Sequence, residues 1–312
     1  MQKLIIVSLL LLSACTATAT PGPVIESTAT LAQTNTPLPD PSPTIQVVVP
    51  TPTLTVTIQV SPTAEPAAHR VSPVDGMPQV YIQAGTFRMG GLDVRRAPNE
   101  LPDHDVTLDA FWIDQLEVTN AMFTLCVSAG ACDSPQNLRS QRRNEYFDNP
   151  EFKDYPVVYV DWNMAKAYCE WRGADLPTEA QWEKAARASD EPTYPWGNEL
   201  DCNKANYTNG SRVCVGGTTK VGSYESGKSP YGVYDMAGNV WEWVADWYSE
   251  SYYSTSISSS NPFGPDFGRA RVARGGSWTR PQGEIRSANR INYAPTYYNF
   301  DLGFRCAAAV LP

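Results

Sequence analysis

The chain has only two histidines, His69 and His104, and no Cys-x-x-Cys pair. Neither histidine is spaced with a cysteine pair as zinc ligands usually are, so a thiolate zinc site is set aside as the first use of its cysteines. Charged residues are few, at 18%, and their balance is acidic, with a net charge of -9. No basic stripe is available to displace counterions from a phosphate backbone, and no nucleic-acid partner is expected. Paired carboxylates at a spacing that would favour glycoside hydrolysis are also missing. The apolar run from Leu4 to Leu12 is too short to span a bilayer.

That short run has a use of its own. Met1-Gln2-Lys3 supplies a charged start, the run follows, and Leu12-Ser13-Ala14-Cys15 resembles the lipobox of bacterial lipoprotein signals. Residues 1-14 are therefore expected to be a cleaved signal peptide, with Cys15 lipidated and anchored in the cell envelope, on the extracytoplasmic face of a membrane. Residues 15-73 are rich in Thr, Pro, Ser, Ala and Val, with Thr-Pro and Ser-Pro pairs recurring and Glu26, Asp40, Glu65 and Arg70 as the charges. Proline removes amide donors and fixes φ, so this segment is expected to be a disordered, extended tether. Its β-prone patches, Ile45 to Val49 and Leu54 to Val60, are bracketed by prolines.

From 74 to 312 the composition shifts to Trp, Tyr and Gly, as expected of one folded domain. Asp161 is an N-cap for a helix over Trp162 to Trp171, and Thr178-Glu179-Ala180-Gln181 is a capping box before Trp182 to Arg187. A third helix is expected after Thr119, since Val118 and Met122 fall at helical spacing. Short β-prone runs such as Val80 to Ile82 and Val106 to Leu108 alternate with Gly/Asn/Ser-rich loops, which predicts a loop-rich α+β domain. Besides Cys15 there are Cys126, Cys132, Cys169, Cys202, Cys214 and Cys306. An even set in an exported chain reads first as disulfides that staple such loops, although spacing alone leaves the connectivity open. Trp162, Trp171, Trp182, Trp241 and Trp243 are expected as buried rings whose indole N–H groups find backbone acceptors. Glu117, Glu179 and Glu242 read as capping or metal-bridging carboxylates. His104, beside Pro102, reads as a hydrogen-bonding surface group.

Ten blocks between Gln79 and Ala307 go further. Among them are Ile82 to Gly90, Phe111-Trp112-Ile113-Asp114, Glu117-Val118-Thr119-Asn120 and Leu176 to Glu183. Later come Gly232 to Trp243, Arg274-Gly275-Gly276-Ser277-Trp278 and Gly303-Phe304-Arg305-Cys306. In this order they resemble the formylglycine-generating enzyme (sulfatase-modifying factor) family. The resemblance implies a C-type-lectin-like fold with little regular structure. It implies a Cys169–Cys306 disulfide, while Cys126–Cys132 and Cys202–Cys214 are expected because each pair is close in sequence within turn-rich loops.

The family's enzymes oxidise a substrate cysteine with O2 at copper(I) held by two thiolates, a soft-ligand site. Ser277 and Trp241 match active-site positions, but the two thiolate positions hold Arg280 and Ile285. Copper is therefore not expected, nor is formylglycine-generating activity. The family's iron-dependent sulfoxide synthase chemistry is disfavoured too, because a Thr/Pro tether stands where those proteins carry a helical domain with histidine ligands. A structural calcium is expected from the side chains of Asp235 and Glu242 and the carbonyls of Gly238 and Val240, since hard oxygens in a tight loop suit that ion. A second calcium would take Asn206 and the carbonyl of Tyr207, but the acidic residue it needs is missing near Cys214 to Gly217. The function expected is a membrane-tethered, non-catalytic module recognising a peptide, protein or glycan, with aromatic loops at Trp247-Tyr248, Tyr252-Tyr253 and Tyr297-Tyr298. The alternatives are an oxidase acting on a cysteine of an exported protein, and a scaffold in an envelope complex.

Overall fold

The computed structural model describes residues 68–188, 192–255 and 259–310. The expected signal peptide, the expected lipidation at Cys15 and most of the expected tether lie outside them. Chain contacts divide the protein between Gln59 and Val60, and all described residues belong to the second unit.

The elements follow in order: β1 His69–Val71, β2 Pro78–Ile82, β3 Gly85–Met89, β4 His104–Leu108, β5 Phe111–Asp114 and α1 Asn120–Ser128. Then come α2 Trp162–Trp171, α3 Glu179–Arg187, β6 Thr208–Asn209, β7 Arg212–Val213, β8 Trp241–Trp247 and α4 Tyr252–Thr255. The chain continues through β9 Ser259–Ser260, β10 Arg271–Arg274, β11 Arg290–Tyr293, β12 Leu302–Phe304 and β13 Ala307–Ala309. This is the expected loop-rich α+β architecture. One expectation shifts: β1 pairs with β2, Val71 opposite Pro78, so the folded domain begins before residue 74.

The three main helices start where their caps dictate. Thr119 Oγ1 accepts the Met122 amide at 3.2 Å and Asp161 Oδ1 that of Met164 at 2.9 Å. At α3 the capping box closes both ways, Gln181 N to Thr178 Oγ1 at 3.2 Å and Thr178 N to Gln181 Oε1 at 2.9 Å. Each cap satisfies amides that the first helical turn leaves open.

Two sheets carry the interior. One has the order β1-β2-β5-β13 and the other β11-β10-β8-β12, with β12 running parallel to β8 so that Leu302 lies opposite Trp241. The three expected disulfides are present, Cys126–Cys132, Cys169–Cys306 and Cys202–Cys214. Cys169–Cys306 ties α2 to the short link between β12 and β13. Trp162 and Trp243 are buried and donate to the carbonyls of Val244 and Val160. Trp182 donates instead to Glu242 Oε2, and the Trp241 indole nitrogen has no partner.

Between these apolar layers lies a set of fully buried ion pairs. Arg172 joins Asp75 at 3.0 Å and Asp114 at 2.7 Å, and Arg290 joins Glu179 at 2.7 Å. Arg274 joins Glu179 and Glu183, Arg286 joins Glu100, and Arg305 forks onto Glu242 at 2.6 Å to each oxygen. A charge withdrawn from water this completely costs several kcal/mol unless paired and hydrogen-bonded, so these pairs constrain one another. His104 departs from expectation. It is buried in β4, its Nδ1 3.0 Å from the Pro102 carbonyl and its ring edge-on to Tyr253, because the strand turns it inward.

Candidate functional site

The start of β8, the end of the loop before β12 and the turn after β10 meet around Ser277. Ser277 Oγ donates to Asp301 Oδ2 at 2.8 Å, and Thr279 Oγ1 reaches the same oxygen at 2.8 Å. The two hydroxyls are 2.9 Å apart. The Trp241 amide donates to the Asp301 carbonyl at 2.8 Å, which ties the start of β8 to this triad. Ser277, Trp241 and Asp301 are buried; Asp301 Oδ1 and the Trp241 indole nitrogen are both unpartnered.

Arg280 sits on the outer side. Its guanidinium lies 5.9 Å from the centre of the Trp241 ring, and its one ion pair, to Glu284, is long at 3.5 Å. The Arg280 side chain is 34% exposed, unlike the paired arginines of the interior. Ile285 is fully buried and packs with Tyr194, Ala205, Tyr207 and Ala237. Gly276, at φ +73°, makes that packing possible: a Cβ there would stand 2.6 Å from an Ile285 methyl. Tyr293 borders the site, stacked on Tyr297 at 4.4 Å, and burial pushes its hydroxyl up to about 12.

The aromatic loops divide. Tyr297 and Tyr298 are exposed at 38% and 44%. Trp247 instead carries the Arg271 guanidinium at 3.5 Å, Tyr248 accepts from Asn99 Nδ2, and Tyr253 is buried, so these three are structural. A cavity of about 410 Å³, lined among others by Leu108, Phe111, Leu176, Ala245 and Phe263, has no residue in common with the Ser277 site.

The residues expected to hold calcium lie on one loop and the start of the strand after it. The loop from Tyr234 to Val240 takes positive φ at Asp235, Gly238 and Asn239, and Gly238 lies so close to Asn206 that a Cβ would stand 2.3 Å from its carbonyl oxygen. Thus the two proposed ligand sets adjoin. Glu117 joins them, accepting from Val240 N at 3.2 Å and Asn239 Nδ2 at 2.5 Å. Glu117, Asp235 and Glu242 share Arg305 as their buried cation. Burial, then the charges of Asp235 and Glu242, hold the Glu117 carboxyl well above the ordinary carboxylate range; burial pushes Asp235 up to about 6.

The charge surplus and the unpartnered Asn206 Oδ1 fit a divalent cation. Three other contacts fit it less well. Arg305 occupies both oxygens of Glu242, the Asp235 Oδ2 accepts the Gly222 amide at 2.7 Å, and the Tyr207 carbonyl accepts the Cys214 amide at 3.0 Å. Among the described residues no three His, Cys, Asp or Glu side chains converge as a metal cluster, so any ion here would rely on backbone carbonyls.

A model of the sulfatase-modifying factor enzyme 1-like domain matches residues 63–310. The chain belongs to this family. It is 33% identical over 290 residues to the formylglycine-generating enzyme of Thermomonospora curvata, covering 73% of this chain and 92% of that protein. It is 39% identical over 243 residues to the serine/threonine-protein kinase Pkn1 of Chlamydia trachomatis, a match that covers 74% of this chain but 38% of the kinase's length. Among solved structures, PvdO from Pseudomonas aeruginosa superposes with a TM-score of 0.67 at 30% identity, over 79% of this chain and 99% of that one. Ser277 and Trp241 are linked in the structure through Asp301, by its side chain and its carbonyl respectively. Thr279 and Asp301, which complete the triad, were missed because they stand just outside the matched blocks.

Proposed function

We propose that this sulfatase-modifying factor domain is a non-catalytic recognition module for a peptide or glycan, held at the extracytoplasmic face of a membrane by lipidated Cys15. One observation carries the reading: Ile285 packs into the interior and Arg280, its side chain partly exposed, lays its guanidinium over Trp241, where the family's enzymes place two thiolates. A guanidinium repels a second cation and forks onto carboxylates, so the site favours an acidic ligand over copper. Tyr297, exposed and stacked on Tyr293, offers its outer ring face for stacking.

The purified chain is expected to take up no copper(I) and to leave a sulfatase-type cysteine peptide unoxidised. It is expected to bind an acidic peptide or a uronate oligosaccharide, with Arg280→Met weakening that binding about tenfold or more, the weight of one charge-assisted contact of about 1.5–3 kcal/mol. Calorimetric titration and oxygen uptake read the two arms. Copper-dependent turnover would install the oxidase reading; a chain that binds neither ligand but is retained with envelope proteins would install the scaffold.

Structural calcium at Asp235, Gly238 and Val240, with Glu242 and with Asn206 and Tyr207 adjoining, belongs to the same proposal. A chelator is expected to lower the melting temperature, because an ion bound only to the folded state stabilises it by mass action. Asp235→Asn should remove that dependence. A wild-type melting curve indifferent to prolonged chelation would count against the site.

A further inference from the structure

We infer that Asn209 is a site of spontaneous amide-to-acid conversion, and that this conversion loosens the support of the segment carrying Arg280. Asn209-Gly210 is the only Asn-Gly step in the chain. It closes the hairpin of β6 and β7, where Asn209 pairs with Arg212 and Gly210-Ser211 form the loop. The Asn209 side chain is exposed, and Gly210 stands at φ +62° with open space where a Cβ would be. A hairpin loop of two residues favours glycine in this conformation. The same residue puts no side chain of its own next to the Asn209 carboxamide.

The chemistry needs only water. The Gly210 amide nitrogen loses its proton and adds to the Asn209 side-chain carbonyl carbon, and the carboxamide nitrogen departs as ammonia. A five-membered succinimide results. Water then adds at either imide carbonyl, breaking one C–N bond and giving aspartate or isoaspartate, with nothing oxidised or reduced. Isoaspartate lengthens the main chain by one carbon and so disturbs the pairing of Asn209 with Arg212.

The neighbouring residue transmits the change. Thr208 donates its amide to the Arg280 carbonyl at 2.9 Å and its hydroxyl to the Trp278 carbonyl at 3.1 Å. Thr208 also bridges to Pro281. The residue that buttresses Arg280 is therefore covalently joined to the one that converts. Three other positions are shielded. At Asp75-Gly76 the carboxylate is held by Tyr168, Arg172 and the Met77 amide. Asn137 is engaged by the Arg139 amide and is followed by leucine; Asn203 is bonded to Asp201 and followed by lysine. The conversion follows whether or not Arg280 takes a ligand.

The test is to age the full chain in mildly alkaline buffer and follow each asparagine by peptide mass spectrometry, with chromatographic separation of isoaspartyl forms. Asn209 should convert several times faster than Asn137 and Asn203, and Asn209→Gln, whose ring closure would be six-membered, should remain unconverted. Hydrogen exchange at the Thr208 amide should rise in the aged wild type and stay constant in the aged variant. Conversion at Asn209 no faster than at Asn137 and Asn203 would overturn the site. Conversion with unchanged exchange at Thr208 would overturn its coupling to the Arg280 segment.

Discussion

Replacing Arg305 by methionine is expected to cost about 3–5 kcal/mol of folding stability, the penalty for stranding a buried charge by removing its partner. Arg305 forks onto Glu242 and donates to the carbonyls of Asp114 and Tyr234, and Glu117 and Asp235 lie within its field. Without it, Glu242 loses its paired guanidinium, and Glu117 and Asp235 lose the nearest buried cation. Denaturant unfolding should show the loss as a lower midpoint at unchanged slope. A second variant separates charge from packing: Arg305→Met with Glu242→Gln should recover part of the loss, since the stranded carboxylate is then neutral. If the single variant unfolds like the wild type, the buried network does not hold the β8 and β12 layer together.

Removing Cys169–Cys306 is the second change expected to be large. The bridge spans a sequence separation of 137, whereas Cys126–Cys132 spans 6 and Cys202–Cys214 spans 12. On the chain-entropy account, a loop of the first size contributes about 5 kcal/mol and the shorter loops about 2–3 kcal/mol each. Paired alanine substitutions at Cys169 and Cys306 should therefore lower the unfolding midpoint more than either other pair. Equal losses for the three pairs would mean that the bridge acts through native contacts rather than by restricting the unfolded chain.

Features set by neighbouring residues were legible in the sequence. Thr119, Asp161 and Thr178 mark helix starts because each cap bonds the amide three residues on, and the two short disulfides follow from proximity. The interior ion pairs were not legible, since Glu100 finds Arg286 and Glu242 finds Arg305 only through the fold. His104 was misplaced for the same reason: a turn-like Pro102 nearby says nothing about which face of β4 the ring takes. At the Ser277 site, that the expected thiolate positions hold Arg280 and Ile285 could be read at once. That Ile285 points into the interior while Arg280 stays outside could not, because only the close approach at Gly276 decides it.

The sheet order β1-β2-β5-β13 joins strands from the two extremes of the described residues, and β12 completes the other sheet beside β8. Such pairings form late, because the entropy of closing long loops is lost before the contacts repay it. A growing or emerging chain that has delivered α2 and β8 still lacks β12, β13 and the partner of Cys169. Until those residues arrive, Trp241, Trp243 and the edge of β5 are uncovered, which is the state most open to aggregation or to capture by a chaperone. Folding of this domain is thus tied to delivery of its last strands rather than proceeding piece by piece as the chain appears.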